Sequence, residues 1–384
     1  MTFKLIARAR LVLATSALLA AFAGSAQAEP GITTEAIHLG MSSPFSGPNG
    51  DYGIAMRTGV LAAFDEVNAS GGIGGRKLTL TALDDGYETE RAVANTRALI
   101  DTHQVFALLA FYGSSPTTAA MNVFSNAGVP LVGTISGADA LRTPVNRHMF
   151  NLRASYADET TAIVKHLVAL GITRIAVFYQ DDGFGQSGLA GVTAQLKAHQ
   201  LAPVATGTVP RNSVEVGPAV AKIAKAAPQA VIMVTLVKPT AAFVSAMRAA
   251  GQTPQFVTLS PVGANLLIKE MGESGAHGLG ISQVMPYPWN DGLPLIRRYR
   301  QALAAHDKHT EPDYYSLEGY VAARVMIEAL KRIGGPPTRE KLITALEQAP
   351  FDLGGHRLVF TPNDHGGAHY VDLTIIGRNG RILR

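Results

Sequence analysis

Hydroxyl groups and a helix start stand together at Ser114, Ser115 and Pro116. The stretch 111–118 follows an apolar run, Ser115 is a favourable N-cap, and Pro116 suits the first helical position. The unpaired N–H groups of a first helical turn, with serine hydroxyls beside them, form a natural site for a carboxylate or another anion. The residues therefore predict anion capture, and the simpler alternative is that the serines only cap a helix.

Three further loops follow predicted strands and carry side chains that could contact a ligand. Open α/β sheets place their ligands at the carboxyl ends of their strands, so four such loops together favour a binding cleft. Phe45 and Tyr52 offer apolar walls in the loop 42–53. The other two loops are 133–138, which includes Ile135, Ser136 and Gly137, and 180–187, which includes Phe184.

Apolar runs and helical patterns alternate along most of the chain, which predicts parallel sheets with helices on both faces. The predicted strands are 37–41, 78–83, 107–110, 129–132, 174–179, 203–209, 230–234, 256–259 and 279–284. The helical patterns between them cover 52–69, 88–101, 115–126, 158–170, 184–199, 216–226 and 240–250. The fold class is therefore α/β, and the strand–loop–helix pattern that both halves share favours two similar lobes that face one another.

The carboxyl-terminal third changes character. Helices at 293–305, 315–332 and 339–348 follow one another, and the segments 357–360 and 370–377 read as an antiparallel pair around a turn. The stretch 142–153 breaks the alternation and is interpreted as the first crossing. We therefore assign residues 29–150 and 281–357 to the first lobe, and residues 151–280 and 358–384 to the second.

The amino terminus has the pattern of a secretory signal peptide. Lys4, Arg8 and Arg10 precede an apolar stretch, and cleavage is expected after Ala28. An uncleaved, membrane-tethered terminus is the alternative. Without those three residues the chain has 30 basic against 29 acidic side chains, so nothing favours a nucleic acid or an anionic surface as partner.

The chain has no cysteine among its 384 residues. Disulfides, thiol catalysis, thiolate metal sites and a lipid-anchored terminal cysteine are therefore excluded. About 356 residues after cleavage suffice for a large core in two domains. We expect a periplasmic monomer with no cofactor and no bound metal.

Enzyme signatures are missing from the sequence. There is no Gly-x-Ser-x-Gly and no Walker loop, so an exported α/β hydrolase is the weaker alternative. His365 and His369 stand four apart beside Asp364, but they fall in a predicted hairpin and are interpreted as a solvated turn. The pairs Asp84-Asp85 and Asp181-Asp182 are expected to act as caps or surface groups, because adjacent strand residues face opposite ways.

The whole mature chain resembles type I periplasmic solute-binding proteins of the leucine/isoleucine/valine-binding family, which feed ABC importers. The marks of the resemblance, in order, are 43–48 with Tyr52-Gly53, the Gly-rich 68–78, Asp84-Asp85, 113–115, 182–185 and 371–377. The resemblance implies two Rossmann-like lobes that are joined by a three-segment hinge and close on a ligand between them. It also implies that Ser114 and its neighbours hold a carboxylate, that residues 135–137 add polar contacts, and that Tyr52, Tyr315 and Phe184 line the pocket.

The chain departs from amino-acid binders of that family where they hold the ligand's ammonium group. The tyrosine and the acidic residue of that clamp align near Val237 and at Ser260 or Pro261, and Phe184 replaces a tyrosine. A buried ammonium without an anionic partner is unfavourable. We therefore expect an aromatic, keto or short aliphatic acid as the ligand. A branched-chain amino acid, or a sensing role in place of delivery to an ABC permease, is the alternative.

Overall fold

The computed structural model describes residues 29–384, and the predicted signal peptide lies outside them. Two separate sheets of mostly parallel strands organise the chain. The first has the order β2-β1-β3-β4-β5, and all its strands are parallel. Its strands are β1 (Ala36–Ser43), β2 (Lys77–Asp84), β3 (Ala107–Tyr112), β4 (Leu131–Ile135) and β5 (Met149–Phe150).

Helices cover both faces of this sheet. Between its strands lie α1 (Gly50–Ala69), α2 (Thr89–Arg97) with a π-helical turn at Ala98–Thr102, and α3 (Ser114–Asn126). Helices from the carboxyl-terminal third return to the first lobe, where α10 packs along α1 and touches β3 and β4. These later helices are α9 (Pro294–His306), α10 (Tyr314–Arg332) and α11 (Arg339–Glu347).

The second sheet has the order β14-β13-β10-β9-β8-β6-β7. Its parallel strands are β6 (Ile175–Gln180), β7 (Thr206–Val209), β8 (Ala230–Val234), β9 (Gln255–Thr258) and β10 (Gly280–Gln283). The strands β13 (Asp372–Ile376) and β14 (Ile382–Leu383) add an antiparallel edge. Its helices are α4 (Tyr156–Ala169), α5 (Gly183–Ala198), α6 (Gly217–Lys225), α7 (Val237–Ala249) and α8 (Ala264–Ala276).

The α/β architecture and the nine predicted strands are confirmed, with ends shifted by up to three residues. The predicted pairing of 357–360 with 370–377 is wrong. The short strand β12 (Arg357–Leu358) pairs with β11 (Phe351–Asp352), and β13 pairs with β10. The intervening segment runs along the first crossing instead, where Asn151 N–H donates to the His365 carbonyl and Gly367 N–H to the Asn151 carbonyl, both over 2.8 Å.

Three details of the chain path differ from the sequence interpretation. The stretch 142–153 contains β5, so the first sheet continues through Phe150. The expected boundaries at 280 and 357 fall inside β10 and β12. Helix α8 was not predicted; it is interrupted at Gly272, whose φ of 70° is not helical. No helix of residues 29–384 is long and apolar enough to cross a membrane.

Candidate functional site

The carboxyl ends of the strands of the two sheets face one another. Ser115 Oγ, at the start of α3 in the first lobe, donates to Asp182 Oδ2 before α5 in the second lobe, over 2.9 Å. Tyr52 of α1 accepts from the Val237 N–H of α7 over 3.0 Å and donates to the Val262 carbonyl over 3.2 Å. The four predicted loops therefore meet at one interface between the lobes.

A serine pair, Ser114 and Ser136, lies at the amino terminus of α3. Their hydroxyl oxygens are 2.8 Å apart, and Tyr156 Oη is 3.4 Å from Ser114 Oγ. Both serines are buried. The first N–H groups of the helix have no partner within the helix and carry its positive partial charge. The serine pair and this helix end can therefore receive a carboxylate.

Residues at the starts of the helices determine where the side chains of the site lie. Gly113 adopts a φ of 91° as the residue that caps α3, which strains any residue with a Cβ. Asp182 accepts from the N–H groups of Phe184 and Gly185 and begins α5. Asp313 does the same for α10, accepting from Tyr315 N–H over 2.6 Å. The expected capping role of Asp182 is thus confirmed.

Three predicted contacts use their polar groups inside the protein. Ser115 Oγ is bound to Asp182, so Ser114 is the serine of the first turn whose hydroxyl faces a second hydroxyl. The Ile135 carbonyl accepts from Gly113 N–H over 3.0 Å, and the Gly137 carbonyl accepts from Tyr156 N–H over 2.8 Å. Ile135 and Gly137 therefore hold the serine pair in place through their backbones.

Four buried rings form what we call the tyrosine cluster: Tyr52, Tyr87, Tyr112 and Tyr315. Tyr52 stacks on Tyr112 with centroids 5.1 Å apart and meets Tyr315 edge-on at 4.9 Å. Tyr87 meets Tyr112 edge-on at 5.7 Å. Burial raises the pKa of every one of these phenols, so they stay neutral. The cluster offers apolar ring faces with polar tips.

The two predicted phenylalanines are placed differently. Phe184 is buried against Tyr156, with centroids 5.2 Å apart, and so lies beside the serine pair. The Phe45 ring instead packs under the Arg57 guanidinium, 4.6 Å from its centroid, and its N–H donates to Asp84. Phe45 does not join the tyrosine cluster, because Arg57 of α1 covers its ring.

A buried ionic group at the same interface was missed by the sequence analysis. Arg153 is 1 % exposed and lies 3.6 Å from Glu159 of α4 and 3.6 Å from Glu318 of α10. It also donates to Ser260 Oγ. Glu159 accepts from Ser260 N–H and Ser282 Oγ. The available signal was Glu318, a lone charge within the apolar stretch 317–323.

Burial raises the pKa of the Glu318 carboxyl to about 7, although Arg153 opposes this shift. Burial raises the pKa of the Glu159 carboxyl as well, so Arg153 faces two carboxyls whose ionisation is opposed by burial. The same burial raises the pKa of Asp85 to about 6, in spite of its bonds with Tyr87 N–H and Ser42 Oγ. Asp84 accepts from Phe45 and Gly86 N–H groups and pairs with Arg91, but it caps no helix, since the N-cap of α2 is Glu88.

The histidine pair does not make a metal site. His365 is buried, stacks on Phe150 and bonds Glu347 over 3.0 Å, so the expected solvated turn is wrong at this residue. His369 is exposed beside Asp158. Between residues 29 and 384, no three His, Cys, Asp or Glu side chains are grouped closely enough to hold a metal ion.

Comparison with known proteins adds to this geometry. A family profile described as "Periplasmic binding protein" matches residues 36–381. A possible leucine/isoleucine/valine-binding protein from Rhodopirellula baltica SH 1 is 36 % identical, with a TM-score of 0.87 over 94 % of this chain and 98 % of that one. A substrate-binding periplasmic protein from Ralstonia solanacearum is also 36 % identical, with a TM-score of 0.86 over 90 % and 99 %.

A curated relative is similar over most of its length. The Leu/Ile/Val-binding protein homolog 7 of Brucella abortus (strain 2308) is 25 % identical over 311 residues, which cover 78 % of each chain. The family profile, which matches residues 36–381, spans both lobes and every loop of the candidate site.

Proposed function

Because this chain belongs to the periplasmic binding protein family, of the leucine/isoleucine/valine-binding type that serves ABC importers, we propose that it captures a small carboxylate with an apolar body and no α-amine. It is a binding protein and not an enzyme. In the proposed complex the ligand carboxylate meets the serine pair and the amino terminus of α3. The ligand body lies against the tyrosine cluster and Phe184, and a membrane permease receives the ligand.

The buried carboxylates already have partners within the protein, which supports a ligand without an amine. Glu159 and Glu318 flank Arg153, Asp85 accepts from Ser42, and Asp182 caps α5. An ammonium group would have to displace one of these partners, and an unpaired buried cation is strongly unfavourable. Where the family's clamp aligns, Val237 supplies a backbone N–H to Tyr52, and the Ser260 carbonyl accepts from Tyr315.

An amino acid is the second candidate. The Brucella relative is named for leucine, isoleucine and valine. Glu318 is the carboxylate that could meet an ammonium group, because its ionic partner Arg153 is 3.6 Å away, beyond hydrogen-bonding distance. Ligand preference therefore decides between the two candidates.

Thermal denaturation of the ligand-stripped protein tests this choice. The panel pairs leucine and phenylalanine with 4-methyl-2-oxopentanoate and 3-phenylpropionate, and adds benzoate and succinate. A ligand at about 100 times its Kd adds about 2.7 kcal/mol of stability, which gives a clear rise in Tm. We expect the amine-free acids alone to raise Tm. Stabilisation by leucine or phenylalanine alone would establish the second candidate instead.

Ser114→Ala then tests the proposed carboxylate contact. A hydrogen bond to a charged group contributes about 1.5–3 kcal/mol, so the affinity for the best acid should fall about tenfold or more in titration calorimetry. Ser125→Ala, at the other end of α3, is the matched control because its hydroxyl bonds Asn146 instead. Unchanged affinity in Ser114→Ala would remove the serine pair from the site.

A further inference from the structure

Tyr112 ends β3 in the middle of the tyrosine cluster. Its side chain is 1 % exposed, its ring stacks on Tyr52, and Tyr87 closes its edge. Its backbone lies in register with Ile135, which precedes Ser136, and Tyr112 is itself followed by Gly113 and Ser114. The phenol therefore stands where the body of a ligand bound at Ser114 would lie.

The Tyr112 hydroxyl differs from its neighbours in having no hydrogen-bond partner among residues 29–384. Tyr52 bonds Val237 N–H and the Val262 carbonyl. The hydroxyl of Tyr87 accepts from Gln180 Nε2, that of Tyr315 donates to the Ser260 carbonyl, and that of Tyr156 lies near Ser114 Oγ. Buried hydroxyls are nearly always paired, and an unpaired one at a binding interface indicates a group that the ligand completes.

We propose that the Tyr112 hydroxyl bonds a second oxygen-bearing group on the ligand, so that the site selects a hydroxy- or oxo-substituted carboxylic acid over the plain acid. This inference rests on the proposed function. The ligand's carboxylate is already served by the serine pair, so the atom that meets Tyr112 belongs to the body of the ligand. A phenol both donates and accepts, and so pairs with either a hydroxyl or a carbonyl oxygen.

Burial supports the same chemistry. It keeps the pKa of Tyr112 well above its ordinary value, so the group remains a neutral hydroxyl that can donate. A site built to bond an oxygen discriminates strongly against the analogue that lacks it, because the buried protein group is then left unpaired. A purely apolar pocket would instead discriminate weakly between the two.

The test compares wild type, Tyr112→Phe and Tyr370→Phe by titration calorimetry with matched pairs of acids. The pairs are benzoate and 4-hydroxybenzoate, 3-phenylpropionate and 3-phenylpyruvate, and 4-methylpentanoate and 4-methyl-2-oxopentanoate. We expect wild type to bind the oxygen-bearing member of at least one pair about tenfold more tightly. Tyr112→Phe should reduce that preference below about threefold. Tyr370→Phe, whose hydroxyl bonds Asp372 away from the cleft, should retain it.

Failure of the inference is distinct from failure of the proposed function. If only α-amino acids bind, the proposed ligand class is wrong, and the Tyr112 preference is then measured on tyrosine against phenylalanine and on threonine against 2-aminobutyrate. A preference that survives in Tyr112→Phe, or its absence in wild type, overturns the role of Tyr112.

A second measurement needs no ligand. Removal of an unpaired hydroxyl should leave the Tm of the ligand-stripped protein equal or higher, since no bond is lost. A fall of more than about 3 °C in Tyr112→Phe would mean that the hydroxyl already has a structural partner, and would overturn the inference.

Discussion

At the scale of single residues, the stability of the interface between the lobes depends on a buried group of three charged side chains. Arg153 is shared by Glu159 and Glu318, which come from different lobes. Removal of one partner from a buried ion group typically destabilises a protein by about 3–5 kcal/mol, because the remaining charge stays buried. The stability of the interface between the lobes should therefore depend on whether Glu318 is protonated.

The stability of the protein should therefore depend on pH through Glu318. Its pKa is raised from 4.5 to about 7 in the folded protein, so its contribution to the free energy of unfolding is present below about pH 4.5 and is lost as the pH rises through 7. Glu318→Gln cannot ionise. We expect the Tm of this variant, relative to wild type, to increase between pH 5 and pH 8.

Scanning calorimetry at half-unit pH steps measures this difference. Glu340→Gln is the matched control: it removes an exposed carboxyl whose pKa is lowered by its bond to Arg147, so that it titrates below the window. A difference between Glu318→Gln and wild type that stays constant over this range would mean that Glu318 remains ionised throughout.

At the scale of elements, the start of α3 decides where the serine pair lies. The strand β3 must turn sharply into the helix, and Gly113 provides the left-handed backbone that this turn requires. A Cβ at this position would stand 2.5 Å from Tyr87 Cε2. The turn thus places the tyrosine cluster and the helix terminus in contact, and a side chain at 113 would separate them.

Gly113→Ala should lower both stability and affinity. Strain at φ 91° adds to the steric overlap with Tyr87, and residues forced into such backbone regions typically destabilise by about 1–3 kcal/mol. Gly128→Ala is the control, because its φ is also positive, at 64°, but no atom lies within 4 Å of the added Cβ. We expect the larger fall in Tm, and the only loss of ligand affinity, in Gly113→Ala. Equal effects would mean that the overlap with Tyr87 relaxes freely.

At the scale of the whole molecule, polar contacts at the rim hold the lobes together. Glu88 of the first lobe binds Arg211 over 2.8 Å and Asn212 over 2.6 Å in the second, and Asp51 binds Lys269 over 2.8 Å. A family member that works by hinge bending gains affinity from every contact made only in the closed form. These pairs are exposed, so each contributes little alone.

Glu88→Ala should weaken ligand binding up to about fivefold, because exposed ion pairs are worth about 0.2–1 kcal/mol. The effect should shrink in 0.5 M NaCl, where exposed charges are screened. Titration calorimetry at both salt concentrations measures it, with Glu340→Ala as a control that breaks an ion pair within the first lobe. A loss of affinity that does not depend on salt would exclude an electrostatic role of the rim.

Local pattern in the amino-acid sequence was enough to predict the secondary structure and part of the site. Apolar periodicity and loop composition predicted the parallel strands and most helices, and they singled out the loops that carry Tyr52, Ser114 and Ser136. Tyr315 was predicted only from the family resemblance. These features depend on the spacing of residues over short distances, which can be read from any segment of the sequence. Local pattern could not show that Ser115 binds Asp182 or that Arg57 covers Phe45, because those partners are distant in sequence or lie on another face of a helix.

In contrast, only the folded chain shows which buried charges and hydroxyls are paired with one another. Arg153, Glu159 and Glu318 are separated by up to 165 positions, and in the sequence only Glu318 stands out, as a lone charge in an apolar stretch. Likewise, Tyr112 resembles any other apolar strand residue until the partners of its neighbours are known. Burial and pairing arise from contacts between residues that are distant in sequence, and for that physical reason only the tertiary structure shows which buried groups have partners.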